Sequence, residues 1–103
     1  MGNALMIRYE TKPEAADENQ KLVEGVFAEL NGKDPGGLRY ANFRLDDGVT
    51  FVHVAIVEAE VNPLPETPAF KEFQRNLKDR VVAGSLVQSE VTLVGSYRFV
   101  VDE

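Results

Sequence analysis

Chemistry without a bound metal needs a group that moves a proton and groups that hold the charge left behind, and for the first this chain has one imidazole. His53 is the sole histidine, and an ordinary imidazole titrates where proton transfer near neutrality requires it. Asn42 and Arg44 stand a few residues upstream and can donate hydrogen bonds to a developing oxyanion. Three tyrosines, Tyr9, Tyr40 and Tyr97, together with Phe51, supply aromatic surface for a pocket. The candidate catalytic residues are therefore His53 and Asn42, and the candidate substrate-binding residues are Tyr9, Tyr40, Arg44, Phe51 and Tyr97. Each has a plainer reading. A histidine within an apolar strand also fits a core residue with a satisfied hydrogen bond, to Asn42 for instance. Arg44 near a hairpin tip also fits a solvated strand-edge charge, Arg98 suits solvent or a subunit surface, and interior tyrosines commonly keep a wet hydroxyl. The chain has no cysteine, which removes disulfides, thiolate metal sites and a cysteine nucleophile. It carries no phosphate-binding loop, metal-ligand cluster or nucleophile triad motif either.

The stretch that must position these groups runs from Gly36 to Glu60. Asp47-Gly48 is a strong hairpin signal, because both residues tolerate the positive φ that a two-residue type I′ turn demands at its two central positions. With those two residues as the loop, Arg44 faces Phe51, Asn42 faces His53, Tyr40 faces Ala55 and Leu38 faces Val57. Period-two alternation places these eight on one face of the sheet and Ala41, Phe43, Leu45, Val52, Val54 and Ile56 on the other.

Ala4 to Glu10 reads as a first strand, with Leu5, Ile7 and Tyr9 on one face. Thr11 to Glu14 offers two helix starts, a Thr11/Glu14 capping box or Pro13 at the first helical position. Asn19, Leu22, Val23, Val26, Phe27 and Leu30 then recur at helical spacing, and Asn31-Gly32 is expected to end that helix. The prolines between Asn62 and Pro68 forbid regular structure. Thr67 as N-cap and Pro68 at the first position open a second helix with Phe70, Phe73, Leu77 and Val81 inward, ended at Gly84-Ser85. Leu86 to Glu90 fits either loop or strand, and Val91 to Val101 alternates as a last strand. The order βαββαβ with two right-handed crossovers implies an α+β, ferredoxin-like fold: a four-stranded antiparallel sheet ordered 4-1-3-2 with both helices on one face.

At 103 residues the chain allows one domain. Lys plus Arg number 11 against 17 Asp plus Glu, a net charge of −6. With no basic stripe, nucleic acid is not expected as a partner, and no apolar run is long enough for a membrane span. The start MGNALMIRYE lacks a signal-peptide pattern, and Met6 occupies the position where myristoylation calls for Ser or Thr, so a cytoplasmic protein is expected. Both sheet faces are apolar whereas two helices cover only one, so a second copy of the chain is expected to cover the other as a homodimer.

The hairpin with its apolar third strand, TPAFKEF opening the second helix, the later LKDRV and the final VGSYRF, in that order and spacing, resemble the antibiotic biosynthesis monooxygenase family of dimeric α/β-barrel proteins over the whole chain. The resemblance implies that fold, pairing into a dimeric barrel, and, among the activities in the family, cofactor-independent oxygenation of polyketide or quinol-like aromatics. A base would take a proton from an acidic aromatic substrate, and the anion would reduce dioxygen with no cofactor. Haem degradation, another activity of that family, is a poor match. The chain has no Trp, Ala69 precedes Phe70 where many relatives carry His, and Ile56-Val57 stands where a Trp is frequent. The alternative outside enzymology is a dimer that binds a small hydrophobic molecule, or that is purely structural.

Overall fold

The computed structural model describes residues 3–99. Its elements are β1 (Asn3–Glu10), α1 (Ala16–Lys33), β2 (Leu38–Arg44), β3 (Thr50–Val57), α2 (Pro68–Arg75), α3 (Leu77–Arg80) and β4 (Val87–Val91), with 3-10 turns at Pro13–Ala15 and Leu64–Glu66. The four strands form one antiparallel sheet in the order β2-β3-β1-β4, which is the expected 4-1-3-2. Tyr9 and Phe51 from the sheet cluster with Ala16, Val23 and Val26 of α1 and Phe73 of α2, so both helical layers lie on the same face. Among the described residues no helix is long and apolar enough to cross a membrane.

The hairpin register is the expected one: Arg44 pairs with Phe51, Asn42 with His53, Tyr40 with Ala55 and Leu38 with Val57. The turn differs. Leu45 N–H donates to the Thr50 carbonyl at 2.8 Å and Gly48 N–H to the Leu45 carbonyl at 2.9 Å, so Asp46 to Val49 form a four-residue loop. Of the two residues Asp47 and Gly48, only Gly48 has a positive φ, of 81°. The Asp47 carboxylate accepts from the Val49 and Thr50 amides and from the Thr50 hydroxyl, and the Thr50 hydroxyl foremost holds its pKa below the usual value. That side chain binds amides which a type I′ turn would have left to the backbone. The register survives because a loop of four centred on the same bond preserves the same pairing as a loop of two.

Two other boundaries move for similar local reasons. α1 begins after the turn that Pro13 opens, because Thr11 is bridged to Val81 and its hydroxyl donates to the Val49 carbonyl; no capping box forms. Asn31-Gly32 does not end the helix, which continues to Lys33, and Asp34 takes the left-handed cap at φ 51°, its N–H on the Leu30 carbonyl. The extra turn brings Lys33 onto Glu29, which offsets part of the roughly 1 kcal/mol that a helical glycine costs. At the start of β2 the Gly37 carbonyl accepts from the Glu58 and Ala59 amides. At φ 81° a Cβ there would lie 2.5 Å from Ala59 Cβ, so only glycine fits.

The second helix breaks at Asn76 although its apolar spacing continues through Leu77 and Val81. The break lets Arg80 fold back over the preceding helix: Nη2 donates to the Phe73 carbonyl at 2.7 Å, and the guanidinium lies 5.4 Å from the Phe73 ring centroid. Backbone bonds from Lys12 N–H to the Arg80 carbonyl and from Val82 N–H to the Glu10 carbonyl, both 2.8 Å, pin this residue beside the end of β1.

The last strand is Val87–Val91 and not the stretch starting at Val91. β1 presents Arg8 through Ala4 to it, pairing Arg8 with Val87 and Ala4 with Val91, and beyond that point the edge is used up. Residues 92–99 are outside the sheet, with Leu93, Val94, Tyr97 and Phe99 exposed; Val100 and Val101 lie outside the described residues. The far face of the sheet carries Met6, Val52, Val54 and Ile56 half-buried. Phe43 is 41% exposed there, its ring 6.1 Å from that of Phe99. Among the described residues no helix packs on it.

Candidate functional site

Strand pairing sets His53 directly across from Asn42 on β2 and from Ile7 on β1, yet its hydrogen-bond partners are the diagonal neighbours on each side. The Tyr9 hydroxyl lies 2.8 Å from Nε2 and the Tyr40 hydroxyl 2.6 Å from Nδ1. Diagonal positions on one sheet face lie within reach of long aromatic side chains, and a tyrosine oxygen extends further than an asparagine amide. His53 is thus bonded to two tyrosines and not to Asn42, whose buried Nδ2 has no partner among the described residues.

The network continues away from the sheet. Asn19 Nδ2 donates to the Tyr9 hydroxyl at 2.9 Å, and Arg80 Nε donates to Asn19 Oδ1 at 3.0 Å. Asn19 is 0% exposed, Tyr9 1%, Arg80 4% and His53 5%. Among the described residues no carboxylate lies within ion-pair distance of Arg80, so the Asn19 and Phe73 oxygens and the Phe73 ring hold its charge. Neither Asn19 nor Arg80 was among the candidate residues. Asn19 had a legible signal, an amide inside an apolar helical stripe; Arg80 had none, sitting beside Asp79 in what reads as an exposed helix end.

Burial shapes the titration of all three ring groups. It holds the His53 pKa down at about 4 and pushes Tyr9 up to about 12, against the smaller opposing pull of the Asn19 hydrogen bond and the Arg80 charge. It also raises Tyr40 strongly. Neutral forms are therefore the stable ones in the fold. Because His53 binds a proton less readily folded than unfolded, its contribution is fully present above the ordinary value of 6.5 and is lost as the pH falls from there through about 4. Stability is expected to drop by on the order of 3 kcal/mol across that window. Chemical denaturation at successive pH values checks this: the slope between pH 6.5 and 5, above the range of ordinary carboxylates, should vanish in His53→Gln.

These rings form the floor of a cavity of about 900 Å³ between β1, β4 and the α2–α3 segment, a size suited to a polycyclic aromatic molecule. Leu5, Ile7, Phe70, Phe73 and Leu77 supply its apolar walls, and the exposed side chains of Glu60, Gln74, Gln88 and Glu90 make the mouth polar. Tyr9, Tyr40 and His53 are thus brought together at one site. The other candidates are not. Arg44 bonds Gln20, the Gly48 carbonyl and Asp17 and lies over the Phe51 ring, which ties the hairpin tip to α1. Phe51 is a core residue stacked on Tyr9. Asn42 does not line the cavity, and Tyr97 is 82% exposed on the segment after β4. Among the described residues no three His, Cys, Asp or Glu side chains are gathered to hold a metal ion.

No family model matches the sequence, and no curated protein matches it. Solved structures do. A candidate antibiotic biosynthesis monooxygenase from Bacteroides thetaiotaomicron superposes with a TM-score of 0.76 at 18% identity, covering 90% of each chain. Another from Nitrosomonas europaea gives 0.70 at 12% identity over 90% of each chain. A variant of SnoaB, a cofactor-independent oxygenase from Streptomyces nogalater, gives 0.63 at 14% identity over 92% of this chain and 95% of that one. The chain has the antibiotic biosynthesis monooxygenase fold. The cavity of this chain lies on the helix-facing side of its sheet, and the polar floor is the Tyr9–His53–Tyr40 triad. At these identities the shared property is the fold, and a fold hosts many chemistries.

Proposed function

We propose that this protein is a cofactor-independent monooxygenase acting on a small aromatic or quinol-like compound held in the cavity. The observation that carries the reading is an apolar chamber whose floor offers hydroxyl and imidazole groups and no fixed charge. The oxygenase SnoaB, of like fold, adds support. The walls strip water from an aromatic bearing a C–H made acidic by conjugation to a carbonyl oxygen, and Tyr40 hydrogen-bonds that oxygen as negative charge develops on it. The proton leaves to water at the mouth. The anion passes an electron to dioxygen, and the pair combines to a peroxide anion that takes a proton back from water to give the hydroperoxide. Loss of the second proton with hydroxide then leaves a carbonyl carbon and one water: one oxygen atom goes to the product and one to water.

The role assigned to His53 follows its surroundings. With both nitrogens bonded to tyrosines and a pKa near 4, it is a weak base near neutrality. It serves by holding Tyr40, and the substrate's own acidity drives deprotonation. That weakness is also what favours the second reading, a non-catalytic protein that binds a small aromatic in the same cavity. Oxygen uptake by the metal-free protein with anthrone separates the two: the oxygenase consumes one dioxygen per anthrone, whereas a binding protein alters ligand fluorescence and consumes none.

The uncovered sheet face supports a homodimer, with Met6, Phe43, Val52, Val54 and Ile56 packing against the same face of a second copy. An obligate interface on the order of 2,000 Å² is expected. Light scattering should give a dimer mass at micromolar concentration, and a folded monomer there would contradict it.

A further inference from the structure

The buried network beneath the cavity has one feature that its distances alone do not state, which is direction. A guanidinium can only donate, so Arg80 Nε–H forces the oxygen of the Asn19 amide toward itself and the NH₂ toward Tyr9. The Tyr9 oxygen therefore receives a hydrogen from Asn19 and must place its own elsewhere. At 1% exposure, with two partners in reach among the described residues, the acceptor for it is His53 Nε2. A neutral imidazole that accepts at Nε2 carries its hydrogen on Nδ1, and that hydrogen goes to the Tyr40 oxygen at 2.6 Å. The Tyr40 hydrogen then has no acceptor among the described residues and faces the cavity that Tyr40 lines. The opposite direction would leave the Tyr9 hydrogen buried and unpaired, a cost avoided in folded proteins.

We infer that Arg80 and Asn19, neither of which lines the cavity, act as positioning residues: they set the direction of all four hydrogen bonds so that Tyr40 presents a donor to the cavity, and the site therefore takes aromatic ligands through an acceptor oxygen, as in a ketone, a quinone or a phenolate. The buried, carboxylate-free charge of Arg80 stands at the head of this chain and polarises each donor in the same sense. The inference rests on reading the cavity as the ligand site, and it holds whether or not the bound molecule is oxidised.

One near-isosteric substitution reverses the chain. In Asn19→Asp the carboxylate only accepts, so it receives hydrogens from both Arg80 and Tyr9. Tyr9 then accepts from Nε2–H, Nδ1 accepts from Tyr40, and Tyr40 is left as an acceptor toward the cavity. Because His53 is the single histidine, its tautomer is read directly from imidazole nitrogen NMR. The native protein should show Nδ1–H and Asn19→Asp should show Nε2–H. With the probes α-tetralone, which only accepts, and α-naphthol, which can also donate, Asn19→Asp should weaken tetralone roughly tenfold while naphthol changes little, as expected for the loss of one hydrogen bond. Tyr40→Phe should weaken tetralone by a similar factor and leave naphthalene unchanged, which preserves the test if Asn19→Asp does not fold. An Nε2–H tautomer in the native protein, an unchanged tautomer in Asn19→Asp, or tetralone affinity indifferent to Tyr40→Phe or absent altogether would each overturn the inference. Failure of oxygen uptake with anthrone would remove the oxygenase reading and leave this one standing.

Discussion

His53→Ala is expected to lower the unfolding free energy by about 3 to 5 kcal/mol at neutral pH, a large share of the stability of a domain this size. The imidazole is 5% exposed and packs between the rings of Tyr9, Tyr40 and Phe73, with centroids 5.3, 5.9 and 5.5 Å away. Truncation leaves a void that those rings cannot all fill. It also strands the hydroxyl of Tyr9, which is itself 1% exposed and loses its acceptor at Nε2. Tyr40 loses less, because its oxygen can turn to water in the cavity. Denaturant unfolding of the two proteins gives the difference. A cost below about 1 kcal/mol would mean that the triad is not the packed unit described.

Tyr40→Phe separates the site from the scaffold in the opposite sense. The ring stays, stacked 4.9 Å from Phe27, so no cavity opens and the fold should lose about 1 to 3 kcal/mol, the cost of leaving His53 Nδ1–H unpaired. Turnover of an anthrone-type substrate should fall by roughly 10² to 10³-fold, the usual consequence of removing one donor from a developing oxyanion. Most of the loss should appear in kcat, since the bond strengthens as charge develops, with KM raised as well by the weaker binding of the ground-state ketone. Retained turnover would show that the oxygen of the substrate is stabilised elsewhere.

The contrast between these two variants was only partly visible in the amino-acid order. The face shared by Tyr40, Asn42, Arg44, Phe51 and His53 is legible because side chains alternate with period two, and the register survives any even loop at Asp47-Gly48. Which residues on that face touch is a different matter. Tyr9 reaches His53 only because β1 slots beside β3 in a register that pairs Ile7 with His53, and Asn42, directly opposite, is too short to compete. The cavity lies toward β1 and β4, which takes Arg44 and Phe51 out of it and into the contact with α1. The break at Asn76 was hidden by apolar spacing that runs straight through it, and with it the position of Arg80. The shift of the last strand was hidden because alternation persists beyond Val91, while the length of β1 decides where pairing stops.

In the proposed function, the cavity above Tyr40 and His53 lets an aromatic carbanion react with dioxygen using nothing beyond the protein. Anthrone oxidation by chelator-treated protein under isotopically labelled dioxygen tests it most directly. One dioxygen should be consumed per substrate, with label in the new carbonyl of the product and rates that collapse in Tyr40→Phe. Oxygen uptake no faster than in protein-free buffer, with anthrone bound but unchanged, would contradict it.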